Sequence, residues 1–410
     1  MVVQYVSKRP HSRSRRSRIV RFLTLFFLGL VSSTVTFLIT FFATSDYIFD
    51  RISSFLTPES NSDFSSEPSL ESIKDYRPRD FLGKKKSINY DYYITYKDFN
   101  FRKPDTLTYE NRTYANSTPI FYRFPRRTSI LALLLIFHSC RHSAVHWFHT
   151  PERQRILGAA IDLGFACLVF QASDKTTKCW SNEGDIYQNR DVYYILKGLE
   201  GFFKDYPELI SLPRYTFGSS SGGIFSSVFA INQQYPIHGQ VIYTSIILPV
   251  ILHKHIKNGN YPTTVWIHML RDIEFASAQR IDMSKEILRK QNISCTSFPI
   301  EPSQLTSTIF HDRQPVITHA ASQFLYSQLR QYRWLNNYNY MLHNPRQKLT
   351  WQGFLFAMVI NQTMSKEVFD NIHTHKPEIY ELLNTFYGEH EISHERSYEA
   401  LKWLLDNSNK

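Results

Sequence analysis

This 410-residue sequence contains no Asp-x-Asp, the carboxylate pair with which many glycosyltransferases hold a metal and a nucleotide sugar. Cysteine is scarce. Cys140, Cys167, Cys179 and Cys295 are the only four, with no CxxC and no Cys/His spacing of a zinc site. Glycine and proline number 14 and 18, so the chain as a whole is neither fibrous nor disordered. What is plentiful is apolar side chain: 42% hydrophobic and 15% aromatic residues suffice for a large buried core.

No carboxylate occurs in residues 1–21, where Lys8, Arg9, Arg13, Arg15, Arg16, Arg18 and Arg21 supply +7 of the formal +11. A nucleic-acid partner would call for basic side chains spread over a folded face, and this excess sits at one terminus. It is followed by Phe22–Ala43, which has no charged residue. Such a run covers about 33 Å as a helix, enough to cross a hydrocarbon core of about 30 Å. The basic flank puts residues 1–21 in the cytosol and everything after Ser45 in the lumen or outside the cell. The run exceeds the apolar length of a cleaved signal peptide, which favours an uncleaved anchor over 22–44; cleavage near Ala43 would give a secreted protein. Either way the chain enters the secretory pathway, as a single-pass type II membrane protein in the first case. The sequons at Asn111, Asn116, Asn292 and Asn361 all follow the anchor and agree with that address.

Residues 45–85 read as a flexible stalk, rich in Ser, Pro and acidic side chains. Residues 86–410 carry the folded domain. Extended segments are expected near 90–96 and 106–123. Ile130–Phe137, Phe165–Phe170, Tyr215–Phe217, Gln240–Leu248 and Thr263–Met269 are apolar runs suited to strands covered on both faces, with a last strand near Ser294–Ile300. Helical patterns over Pro151–Leu163, Asp191–Phe203, Ile224–Asn232 and Phe275–Arg289 separate them. Alternation of this kind predicts an α/β fold with a mostly parallel sheet and helices on both faces. Residues 303–385 form a helical cap or insertion.

Gly218-Ser219-Ser220-Ser221-Gly222-Gly223 matches Gly-x-Ser-x-Gly. A nucleophilic serine on a sharp strand-to-helix turn needs small residues two positions before and after it, and only Ser220 has glycine at both. A Gly/Ser-rich turn is the bland alternative; the extended segment before it and the helix after it favour the nucleophile. A serine of ordinary acidity needs a base, and the base needs an orienting carboxylate. Asp272 follows the strand at Thr263–Met269 and is the acid, with Glu274 in reserve; a helix-capping role is the alternative for Asp272. His390, in a loop before the last helix, is favoured as the base over His311. The oxyanion requires backbone N–H donors: one from Ser221, the other from the loop containing Ser139 and Cys140. Cys140 and Cys179 both follow parallel strands at one end of the sheet and are placed to form a disulfide.

Together, Phe137-His138-Ser139-Cys140, Lys178-Cys179-Trp180, the Gly218–Gly223 segment, His268–Asp272 and His390-Glu391 resemble the α/β-hydrolase superfamily. Within it they are most similar to an uncharacterised eukaryotic branch with an esterase- or peptidase-like core. The resemblance spans about residues 128–300 and the final 25. It implies a Ser220–Asp272–His390 triad, no cofactor and no metal. Many relatives have glycine at the position of Ser139. The expected function is a serine hydrolase of carboxylesterase or lipase type, acting on a small-molecule or lipid-like ester more readily than an amide. A catalytically inactive hydrolase-fold binding module is the first alternative; a Golgi-type type II glycosyltransferase, suggested by the tail, anchor and stalk alone, is the second, and the lack of Asp-x-Asp disfavours it.

Overall fold

The apolar runs become the inner strands of one sheet because side chains of both parities are covered. In the computed structural model, which describes residues 107–126, 128–256, 261–346 and 364–408, every residue of β3 (Ala132–Phe137), β4 (Phe165–Phe170) and β5 (Arg214–Ser219) is buried. So is every residue of β6 (Gly239–Tyr243), and all but the first of β7 (Thr263–Met269). With β1 (Glu110–Arg112), β2 (Ile120–Arg123) and β8 (Cys295–Ile300) they form an eight-stranded sheet in the order β1-β2-β4-β3-β5-β6-β7-β8. The β1-β2 and β2-β4 pairs are antiparallel; the other five are parallel. The basic tail, the membrane span, the stalk, the segment near 90–96 and Asn361 lie outside the described residues. Among the described residues, no helix is long and apolar enough to cross a membrane.

Helices α1 (Pro151–Asp162), α2 (Arg190–Asp205), α3 (Ser221–Phe229) and α5 (Ala278–Lys290) occupy the stretches between strands, with the short α4 (Pro249–Lys254) after β6. Their boundaries follow local chemistry. The Asn189 side chain accepts from the N–H groups of Asp191 and Val192 to open α2. The Ser277 hydroxyl accepts from Arg280 N–H, so α5 begins at Ala278 rather than at the expected Phe275. The expected run Gln240–Leu248 is strand only to Tyr243, because Thr244 turns into the left-handed region with φ 42°.

Two apolar cores cover the faces of the sheet, one around Phe137, Phe170, Trp180 and Phe225, the other around Trp147, Tyr215, Tyr243 and Ile267. Between β8 and His390 stand α6 (Ile309–Arg313), α7 (His319–Gln331), α8 (Lys366–Thr374) and α9 (Lys376–Tyr387), which share a third core built on Phe310, Leu325, Leu383 and Phe386. Trp334 belongs to that core. Finally α10 (Ser397–Asn407) packs back on β6, β7 and α1.

Candidate active site

Register aligns the carboxyl ends of the parallel strands. Phe137 pairs with Gly218, Ser219 with Tyr243, and Tyr243 with Ile267. Whatever follows β3, β5 and β7 therefore emerges on one edge.

Ser220 follows β5 with φ 54° and ψ −117°, a conformation that non-glycine residues avoid. Its neighbours explain how the turn closes. A Cβ on Gly218 would lie 2.0 Å from Gly222 O, and one on Gly222 would lie 2.2 Å from Phe137 O. Strand, helix and the end of β3 touch through backbone, and side chains at 218 or 222 would force them apart. Ser220 N–H donates to Tyr243 O at 2.9 Å, which ties the turn to the neighbouring strand.

The Ser220 Oγ is 2.9 Å from His390 Nε2, and His390 Nδ1 is 2.7 Å from Asp272 Oδ2. With the carboxylate facing Nδ1, the proton resides there and Nε2 is free to accept from Ser220. Asp272 is buried, and its Oδ1 accepts from Phe275 N–H at 3.0 Å and Ala276 N–H at 3.2 Å. It therefore closes a local turn with one oxygen while it meets the histidine with the other; the two expected roles coexist. Burial alone would push the Asp272 carboxyl up, but the His390 hydrogen bond and charge, with these two N–H groups, hold it below the ordinary range. Glu274 does not take this place. Nor does His311, whose ring packs against His319 with centroids 3.6 Å apart, and whose Nδ1 bonds Ile317 O at 2.8 Å.

The loop after β3 is held from several sides. Ala172 N–H donates to His138 Nε2 at 3.1 Å, so that nitrogen carries no proton, and Nδ1–H donates to Ser139 O at 2.8 Å. Gln171 Nε2 donates to the same Nε2 at 3.0 Å, and Trp180 Nε1 donates to His138 O at 2.8 Å. Trp180 in turn stacks on Phe225 of α3, at 4.6 Å between centroids. A disulfide joins Cys140 to Cys179. Cys167 is buried and unbridged, and Cys295 is half-buried. Ser139 is not in the left-handed region, whereas Arg141 is, with φ 62°. Glycine is thus not required at 139, and the hydroxyl there bonds Ser219 Oγ at 2.8 Å. No sequence pattern singles out His138, because apart from the bond to Ser139 its partners lie more than thirty positions away.

Burial drives the His138 imidazole down from 6.5 to about 4. An unfolded chain binds this proton below pH 6.5 and the folded chain does not until about pH 4, so stability falls as pH falls through that window. The loss expected is roughly 3 kcal/mol. His138→Gln removes the titrating ring and should flatten that part of the curve; chemical denaturation of both proteins at pH 7, 5.5 and 4.5 measures it. An equally steep loss in the variant would refute the assignment to His138.

The histidine loop has its own supports. Tyr243 Oη donates to Ser393 O at 2.8 Å and accepts from Ser393 N–H at 2.7 Å. Buried Glu152 accepts from the His394 backbone N–H at 2.8 Å and from His394 Nδ1 at 2.6 Å through Oε2. Arg155 and Arg313 approach its other oxygen at 3.6 and 3.7 Å. Burial would raise the Glu152 carboxyl, yet His394 and Arg313 bring it well below the usual carboxylate range. Arg313 also pairs with Glu395, which ties α6 to the loop. Asn111, Asn116 and Asn292 are exposed.

Strand order, the strained serine after β5, an acid after β7 and a late histidine together define the α/β-hydrolase fold. No protein-family model and no curated protein matches the chain. Among solved structures it is similar to an esterase from Pyrococcus furiosus, at 15% identity over 48% of this chain and 84% of that one, with a TM-score of 0.35. An esterase from Thermogutta terrifontis is 8% identical over 49% and 83% of the two chains, with a TM-score of 0.32. A sugar hydrolase from Lactococcus lactis is 14% identical over 55% and 99%, with a TM-score of 0.36.

Proposed function

We propose that this protein is a serine hydrolase that cleaves a carboxylic ester, and less readily an amide, through an acyl-enzyme on Ser220. The observation that carries the reading is the continuous hydrogen-bond path from Ser220 Oγ through His390 to Asp272, at 2.9 and 2.7 Å. Ser220 Oγ attacks the carbonyl carbon as its proton passes to His390 Nε2. Negative charge on the carbonyl oxygen is met by N–H groups of Ser221, at the open first turn of α3, and of the loop bearing Ser139 and Cys140. Collapse expels the alcohol oxygen, which takes the proton from His390. Water, deprotonated by the same nitrogen, then releases the acid and restores the serine. Asp272 keeps the Nδ1 proton in place and offsets the charge of the transient imidazolium.

The address is part of the same proposal: a type II anchor over 22–44 holds the hydrolase in the secretory pathway, and Asn111, Asn116 and Asn292 are available for glycosylation. Treating the intact protein with a fluorophosphonate and mapping the adduct tests the chemistry. The adduct is expected on the peptide carrying Ser220, together with hydrolysis of simple acetate esters. A protein that neither reacts nor hydrolyses any ester, under conditions that label a control esterase, would overturn the reading.

A further inference from the structure

Phe275 is a large apolar side chain left 57% exposed, and its ring centroid lies 4.7 Å from that of His390. Exposed phenylalanines on mobile loops carry little meaning, but this one is fixed. Its N–H donates to Asp272 Oδ1, and Arg280 Nη1 donates to its carbonyl at 3.2 Å and to that of Glu274 at 3.1 Å. The following residue, Ala276, is fully buried. The turn that aims the acid thus also holds an aromatic ring against the base. Ile273, in the same turn, is 75% exposed.

We infer that Phe275 forms the wall of the alcohol-side subsite and selects esters whose alcohol is apolar. The inference rests on the proposed hydrolase reading and extends it through proton geometry. In that reaction His390 Nε2 returns its proton to the departing alcohol oxygen, so that oxygen must come within hydrogen-bond reach of the imidazole. The first carbons of the alcohol then lie beside whatever packs on the imidazole, and that is the Phe275 ring. The acyl carbonyl is instead bonded to Ser220 and directed to the N–H donors of α3 and the β3 loop. The apolar ring also sets the preference. Covering the ring with an apolar alcohol removes it from water, and an anionic group would gain nothing there.

The test compares esters that differ on one side only, using the full chain. Benzyl acetate and ethyl acetate share an acyl group and have alcohols of similar acidity; ethyl phenylacetate and ethyl acetate share an alcohol. Wild type is expected to favour benzyl over ethyl acetate in kcat/KM. Phe275→Ala should lower that ratio about tenfold, the scale of one apolar contact in a specificity pocket, and Phe275→Leu should recover most of it. The acyl-side ratio should move by less than about twofold in either variant. If both ratios fall together, or only the acyl-side ratio falls, the subsite is misassigned. An alcohol-side ratio unchanged in Phe275→Ala, in a protein that a fluorophosphonate still labels on Ser220, overturns this inference and leaves the hydrolase reading intact. A wild type that is unlabelled and cleaves none of the esters overturns both.

Discussion

Ser220→Ala is expected to lower kcat for ester hydrolysis by about 10⁶-fold, the loss typical of removing the nucleophile from such a triad. The two adjacent serines should not rescue it. Ser219 Oγ is engaged by Ser139 Oγ at 2.8 Å, on a buried residue. Ser221 Oγ is buried and makes no hydrogen bond. Neither lies within the 2.9 Å contact that His390 makes with Ser220. The melting temperature should change little, because alanine at 220 keeps the Cβ and the backbone bond to Tyr243. A variant that retains more than about one hundredth of the wild-type kcat, with an unchanged melt, would show that another group attacks the ester.

For Asp272→Asn the expected loss in kcat is about 10⁴-fold with KM little changed. An asparagine can still accept from Phe275 and Ala276 N–H through its carbonyl, so the turn survives. What changes is the group facing His390. An amide NH₂ cannot accept the Nδ1 proton, and the imidazole then places its proton on Nε2 and its lone pair on Nδ1. Nε2 can no longer take a proton from Ser220, and no buried negative charge offsets an imidazolium. Pre-steady-state kinetics should show the loss in acylation as well as in deacylation, since both route a proton through Nε2. An Asn variant with near-normal kcat would mean that the 2.7 Å contact orients nothing of consequence.

How far this site can be read from sequence depends on the range of the interactions that build it. Phe165–Phe170 and Thr263–Met269 are strands over the residues their apolar runs delimit, because a strand covered on both faces records burial in every position. The turn at Ser220 is legible in part for a local reason: Gly218 is demanded by Gly222 and Ser226 a few residues on, whereas Gly222 is demanded by the distant backbone of Phe137 and His138. His390 is signalled by a polar loop before a final helix, not by its distance from β8. Gln240–Leu248 misleads because Ile247 is buried in a loop, and hydrophobicity does not distinguish a buried loop from a strand. The bonds from His138 to Ala172, from Tyr243 to Ser393 and from Glu152 to His394 span 34, 150 and 242 positions. No pattern in a single sequence announces such pairs, since one partner in each contributes only a backbone group, which every residue carries.

Those last two pairs bear on the moment at which the Ser220–His390–Asp272 path is assembled. The serine and its acid are synthesised long before their base, which follows the serine by 170 positions. The loop that carries His390 is in turn anchored where Ser393 and His394 meet Tyr243 and Glu152, residues of β6 and α1 that were made much earlier. A ribosome that has finished Ser220 has not yet made the histidine that completes the Ser220–His390–Asp272 path. Closure of that long loop is slow relative to local folding, and until it happens the partly folded chain exposes a serine of ordinary acidity. On the proposed hydrolase reading, reactivity thus arrives together with completion of the fold, and a chain stalled on the way is chemically quiet.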